Sequence, residues 1–352
     1  MKINYRPEID GLRAIAVVVV ILYHAQITIF GDQSFKGGFI GFSLALNLLK
    51  KGHKILGYDS INNYYDISLK LSRNKILKKF NNFSFIKGEL EDQKKLNKNV
   101  LKFKPQIIIH LAAQAGVRYS LDVPRNYLSS NIIGTFNIIE IAHKIKVKHL
   151  LIASSSSVYG ANKQSSFKET DKTDNQLSIY AATKKSTESI AHSYSSLWKI
   201  PITMLRFFTV YGPWGRPDMA YFKFTKAIIK NKKIDVYNKG EMYRDFTYID
   251  DVTKSIELLI NKIPSQNNKT KYKNDSLSHI APFRIINIGN QKKVYLKNFI
   301  STLEKKLNKK ANKNNMSMQK GDVKKTLSNT NLLYQIIKYK PKVNYINGIS
   351  AF

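Results

Sequence analysis

A chain of 352 residues with 43% apolar content, 20 Tyr and 18 Phe has the composition of a folded protein with a sizeable core, which excludes global disorder. It has no Cys, which excludes thiol nucleophiles, disulfide frameworks and Cys-ligated metals together, and no metal site is expected. The formal charge of +34 raises nucleic-acid binding, but the cations are mostly Lys scattered with Asn through surface-like stretches such as 74–82 and 305–315, without a zinc or RNA-binding signature; a solvated surface that steers anions is the expectation, with no nucleic-acid partner.

Residues 1–37 read differently from the rest. A polar opening leads into the apolar stretch 14–30, which His24 and Gln26 interrupt. With Phe35-Lys-Gly-Gly-Phe-Ile-Gly41, residues 1–41 resemble the opening of membrane acyltransferase-3 proteins, and His24 falls where those proteins carry a functional His. After residue 30 no apolar run reaches the roughly 18 residues of a membrane span, so a complete acyltransferase is not expected. Cytoplasmic placement is expected, with membrane association through 14–30 as a second possibility.

From Gly38 the pattern alternates. Short apolar runs at 54–58, 83–86, 107–111, 149–153 and 202–206 suit buried parallel strands, and amphipathic segments at 131–145 and 181–197 suit helices between them. This predicts an α/β fold, a doubly wound parallel Rossmann sheet with a smaller C-terminal substrate-binding region. The boundaries read as 1–37 for the N-terminal segment, 38–206 for the dinucleotide-binding domain, and 207–352 for a mainly substrate-binding region with segments returning to the first domain. Residues 264–278 read as a surface loop before Ile285-Ile-Asn-Ile-Gly289.

Gly38, Phe39, Ile40 and Gly41 open a predicted helix and look like the second half of a dinucleotide loop, in which glycine lets backbone approach a pyrophosphate at the helix N-terminus. Asp59 closes the next strand about 20 residues on, where a carboxylate accepts both ribose hydroxyls and favours NAD over NADP. Phe35 stands where the first glycine belongs, and residues 31–34 make a poor strand. An alternative register takes 27–31 as the strand, with extra residues in the loop; either version alters cofactor affinity.

Tyr180-Ala-Ala-Thr-Lys184 puts a phenol and an ammonium on one helix face, and the ammonium is expected to bring the phenol toward neutral pH as a base. Upstream lies Ser154-Ser-Ser-Ser-Val-Tyr-Gly160, after a buried strand. Further blocks are His110-Leu-Ala-Ala-Gln-Ala-Gly-Val-Arg-Tyr-Ser120, Asn131-Ile-Ile-Gly-Thr135, Leu205-Arg-Phe-Phe-Thr-Val-Tyr-Gly-Pro-Trp-Gly-Arg-Pro-Asp-Met219 and Arg244-Asp-Phe-Thr-Tyr-Ile-Asp-Asp251. With them, residues 38–352 resemble extended short-chain dehydrogenases of the nucleotide-sugar epimerase type, in particular the UDP-glucuronate 4-epimerases.

The resemblance implies NAD as cofactor and Ser155, Tyr180 and Lys184 as the catalytic group. It implies that Glu89 and Leu90 flank adenine, and that Leu111, Ala112, Ala113 and Asn131 border the middle of the cofactor. Thr209 and Arg216 would hold a sugar carboxylate and its ring, Arg244 the diphosphate, and Arg118, Ser156 and Ser157 further parts of the substrate. A homodimer through the Tyr180 helix is implied too. Ser156 and Ser157 replace the acidic residues that related dehydratases and decarboxylases need there. UDP-glucose 4-epimerase or UDP-glucuronate decarboxylase is an alternative. Another is a chimeric, inactive relative, since strand one is altered and residues 347–352 stop short of the family's final helix.

Overall fold

The computed structural model describes residues 38–352 apart from 61, 165, 267–271 and 320. The acyltransferase-like segment, Phe35 and both registers of the first strand lie outside the described residues.

In chain order, α1 (Phe39–Lys50), β1 (Ile55–Asp59), α2 (Ile67–Leu77), β2 (Phe83–Lys87), α3 (Gln93–Phe103) and β3 (Ile107–His110) alternate. The short turns α4 (Tyr119–Asp122) and α5 (Pro124–Tyr127) and a π-helical turn, Leu128–Ile133, lead into α6 (Gly134–Lys144) and β4 (His149–Ser155). Then come α7 (Ile179–Trp198) and β5 (Ile202–Phe207). All the strands expected between residues 54 and 206 form, with ends shifted by a residue or two.

Among the described residues the main parallel sheet is described in two pieces, β1–β2 and β3–β4–β5–β9, where β9 (Phe283–Ile288) returns to the edge of β5 from far along the chain. The strand alternation places helices on both faces. Leu150 and Ile152 of β4 and Ile202 and Met204 of β5 pack with Leu96 of α3, Ile139 of α6 and Ala191 of α7. Leu151, Ala153 and Leu205, one residue out of phase, pack with Leu44 and Leu48 of α1 on the other face. Val252 and Ile256 of α9 (Ile249–Ile260) join that second layer. The fold is therefore doubly wound α/β.

The rest of the C-terminal half builds a smaller layer. β6 (Thr209–Tyr211), β8 (Tyr243–Tyr248) and β10 (Lys293–Tyr295) form a three-stranded sheet with β8 central, and β7 (Lys233–Tyr237) pairs with β11 (Asn312–Met316). Helices α8 (Ala220–Ile229), α10 (Leu296–Leu307) and α12 (Tyr345–Ala351) pack on it, while α11 (Asn331–Ile337) packs on β9 and α9. Residues 345–351 are helical, and Ile349 is buried.

Two acids of the Arg244–Asp251 block are structural. Buried Asp245 accepts the backbone N–H groups of Asn290, Gln291 and Ser328 at 2.8, 3.0 and 3.0 Å. Asp251 accepts from the Tyr339 hydroxyl at 2.5 Å and from the Lys342 and Val343 N–H groups at 3.0 Å, which ties the chain's last turns to α9.

The surface expectation for 74–82 fails at its start. Lys70, Arg73 and Asn74 of α2 are buried, because this helix supports the loop after β6. Residues 305–315 are largely exposed, as expected.

Candidate active site

Strand β4 ends on Ser154 and Ser155, and a 3-10 turn, Ser156–Tyr159, follows. Ser155 caps that turn, its hydroxyl accepting from the Ser157 N–H at 3.2 Å. The turn closes on Gly160 at φ 53°, where a Cβ would come 1.9 Å from the Asn175 carbonyl oxygen, so only glycine permits this return. Facing it is the first turn of α7, started by Ser178, whose side chain accepts from the Ala181 N–H at 3.2 Å. That start delivers Tyr180 to Ser155.

Burial pushes the Tyr180 phenol above its ordinary value; a hydrogen bond from Ser155 and the positive charge of Arg216 pull the other way. The Lys184 ammonium donates to the Ala153 carbonyl at 2.8 Å, and the positive charge of Arg216 favours the Tyr180 phenolate. Burial lowers Lys184 to about 8, against the pull of Glu188 one turn on. Glu188 is itself held by Arg206 through two bonds of 2.8 Å and by Ser154 at 2.7 Å, a buried anchor between α7, β4 and β5.

Among the described residues one cavity is lined both by this pair and by the N-terminus of α1. Gly38 precedes α1, and among the described residues no side chain caps that end. A helix N-terminus on the cavity suits the pyrophosphate of a dinucleotide. Phe39, Ile40 and Gly41 line the same wall, as do Asp59 at the end of β1, Glu89, Leu90, Leu111, Ala112 and Ala113. The described residues thus fit a dinucleotide along this wall, with its reactive end beside Tyr180.

Asn131 departs from its expected place. It is fully buried, donating to the Gln114 carbonyl and the Thr183 hydroxyl, each at 3.0 Å, and accepting from the Gln114 N–H at 2.8 Å. It fastens the loop after β3 to α7 behind the cavity wall.

On the other side Arg118, Ser156, Ser157, Thr209, Arg216 and Arg244 line the cavity together. Arg118 lies 4.5 Å from the Tyr237 ring centre. Arg244 donates to Asp322 at 2.7 Å; burial and the nearby Arg118 charge lower its pKa, while Asp322 opposes them. Arg216 is paired to Asp218, and the loop before it is held by Arg73, which donates to the Trp214 and Gly215 carbonyls.

Sequence reasoning missed Arg73, Tyr64, Asp218 and Asp322 as parts of the site. Asp218 stood inside a block already singled out, two residues from Arg216. The others meet the site only through the fold.

A family model described as GDP-mannose 4,6 dehydratase matches residues 36–352. The chain belongs to that family. Family membership starts at residue 36, so Gly38 to Gly41 fall within it, and the acyltransferase resemblance of residues 1–41 gains no support. The chain is 49% identical over 316 residues to Protein CapI of Staphylococcus aureus, covering 90% of this chain and 94% of that protein. It is 47% identical over 317 residues to a probable UDP-glucuronate 4-epimerase of Rhizobium meliloti (strain 1021), covering 90% and 93%. Among solved structures, UDP-glucuronic acid 4-epimerase from Bacillus cereus in complex with UDP-glucuronic acid and NAD superposes with a TM-score of 0.79 at 32% identity, covering 89% of this chain and 94% of that one.

Proposed function

We propose that this chain is an NAD-dependent 4-epimerase that interconverts UDP-glucuronate and UDP-galacturonate through a 4-keto sugar. The observation that carries the reading is that Arg216 lines the same cavity as the Ser155–Tyr180 pair. A guanidinium in that cavity suits a sugar that bears a carboxylate, which a neutral hexose lacks. Similarity to epimerases of that substrate supports the same choice.

NAD, held along the wall from Gly38 and Asp59 to Tyr180, would supply the hydride acceptor and donor for C4. Tyr180 receives the C4 hydroxyl proton and later gives it back, with Ser155 hydrogen-bonded to the same oxygen. Lys184 holds the floor of the site through the Ala153 carbonyl. Between the transfers the 4-keto sugar rotates, while Arg244 and Arg118 keep the diphosphate in place. A 4-keto uronic acid is a β-keto acid prone to lose carbon dioxide, so Thr209 and Arg216 also protect it by fixing the carboxylate. Residues 38–206 carry the cofactor in this scheme, and 207–352 mainly the substrate.

The test is incubation of the purified protein with UDP-glucuronate, with and without added NAD, read by sugar NMR signals. Appearance of UDP-galacturonate establishes the activity, and dependence on added NAD locates weak retention of the cofactor. Absence of product from folded protein at high NAD overturns the assignment.

The helix bearing Tyr180 also supports a homodimer. Trp198 and Leu197 at its end, with Leu121, Leu128 and Ile133 on the turns beside it, are large apolar side chains left exposed. Light scattering should give twice 40.4 kDa, and Leu128→Glu with Ile133→Glu should give the monomer mass. We place the enzyme in the cytoplasm with its nucleotide substrates; among the described residues no helix is long and apolar enough to cross a membrane.

A further inference from the structure

We propose that Asp218 and Tyr64 form a positioning pair that presents Arg216 to the substrate carboxylate and thereby sets the preference for an acidic over a neutral sugar. The proposal rests on the carboxylate role given to Arg216 above.

The geometry is specific. Arg216 Nε donates to Asp218 Oδ1 at 3.0 Å and Nη2 to Oδ2 at 2.5 Å, so Asp218 occupies one whole edge of the guanidinium. A guanidinium has a second edge, Nη1 with the other hydrogen of Nη2, that also fits a carboxylate. Among the described residues Nη1 has no hydrogen bond. Arg216 lines the cavity, so Asp218 selects which edge is offered there and removes most of the freedom of a long side chain before the ligand arrives.

Asp218 is fixed in turn from the other half of the molecule. Its Oδ2 accepts from the Tyr64 hydroxyl at 3.0 Å, and Tyr64 lies 154 residues away, between β1 and α2. The Tyr64 ring sits 4.8 Å from Tyr119, Tyr119 is 6.2 Å from Tyr127, and Tyr127 is 6.1 Å from Tyr180. The support of Arg216 and the ring of the proton-transfer tyrosine therefore belong to one packed row. Burial disfavours the Asp218 carboxylate, yet Arg216 and the Tyr64 hydroxyl hold it below its ordinary value and so charged. A charged Asp218 keeps the guanidinium neutralised in the empty site, so a neutral sugar finds no unpaired cation to use.

Binding of UDP-glucuronate and of UDP-glucose to the full chain with NAD present, measured by calorimetry, tests this on Asp218→Asn, Tyr64→Phe and Arg216→Ala, with a melting curve for each. Asp218→Asn should weaken UDP-glucuronate about tenfold, the scale of one charge-assisted hydrogen bond. It should leave UDP-glucose within about twofold, and Tyr64→Phe should move the same way by less. Wild-type or tighter binding of UDP-glucuronate by Asp218→Asn overturns the proposal. So does an equal loss of both ligands with a lowered melting point, the sign of a merely structural role. If Arg216→Ala abolishes the preference while Asp218→Asn keeps it, the positioning pair falls and the carboxylate reading stands. If Arg216→Ala keeps the preference, both fall.

Discussion

Lys184 and Tyr180 show how much an environment alters ordinary side chains. Lys184 is buried against β4 and its pKa is lowered to about 8, so the unfolded chain holds that proton more tightly between about 8 and 10.5. The cost to the folded state is full below about 8 and fades as pH rises toward 10.5. Lys184→Met should therefore stabilise the ligand-free protein by on the order of 1 kcal/mol at pH 7, with the gain shrinking toward pH 10 in melting experiments, and should abolish epimerisation. Tyr180 moves the opposite way, upward through burial, so activity should fall as pH drops and the phenol keeps its proton. Tyr180→Phe should lower kcat by about 100- to 10,000-fold while NAD binding, followed by protein fluorescence, persists.

The elements hold the site through buried polar ties at their ends. Helix α9 fastens the last segment through Asp251, whose carboxylate satisfies the hydroxyl of Tyr339 and the backbone of Lys342 and Val343. Asp251→Ala should cost about 3 kcal/mol in denaturant melts and speed hydrogen exchange in residues 338–352. Strand β4 starts on His149, fully enclosed between the Ile260 carbonyl at 2.9 Å and the Thr203 hydroxyl at 2.8 Å. Burial lowers it to about 4, so from pH 6.5 down to about 4 the unfolded chain gains a proton that the folded one refuses. Stability is lost as pH falls through that window. The parent should lose stability faster there than His149→Gln, by up to about 1.4 kcal/mol per pH unit in acid titrations followed by circular dichroism.

At the scale of the molecule, a chain with charge +34 surrounds a cavity whose substrate side carries Arg118, Arg216 and Arg244. Two of these guanidiniums are matched by acids in the free protein, Arg216 by Asp218 and Arg244 by Asp322, while the wider Lys excess is not. The long-range field should act on the approach of a nucleotide sugar more than on the grip of the site. We expect kcat/KM for UDP-glucuronate to fall as salt rises from low to physiological levels, with kcat nearly unchanged; an unchanged kcat/KM would remove the steering role from the surface.

The sequence by itself determined the alternating α/β order, the strands from residue 54 to 206, and the shared helix of Tyr180 and Lys184, because each rests on short-range periodicity or fixed spacing along one element. It also marked Arg216 and Arg244, whose blocks are local. What the tertiary structure alone decided is where the charges go. Lys184 turns to the Ala153 carbonyl, Asn131 withdraws behind the wall, Arg73 leaves a polar helix to brace the Arg216 loop, and Tyr64 reaches Asp218 across 154 residues. Such pairings leave no pattern in the chain. A buried polar group takes whichever partner the packing of distant elements brings within about 3 Å, and only the folded arrangement contains that distance.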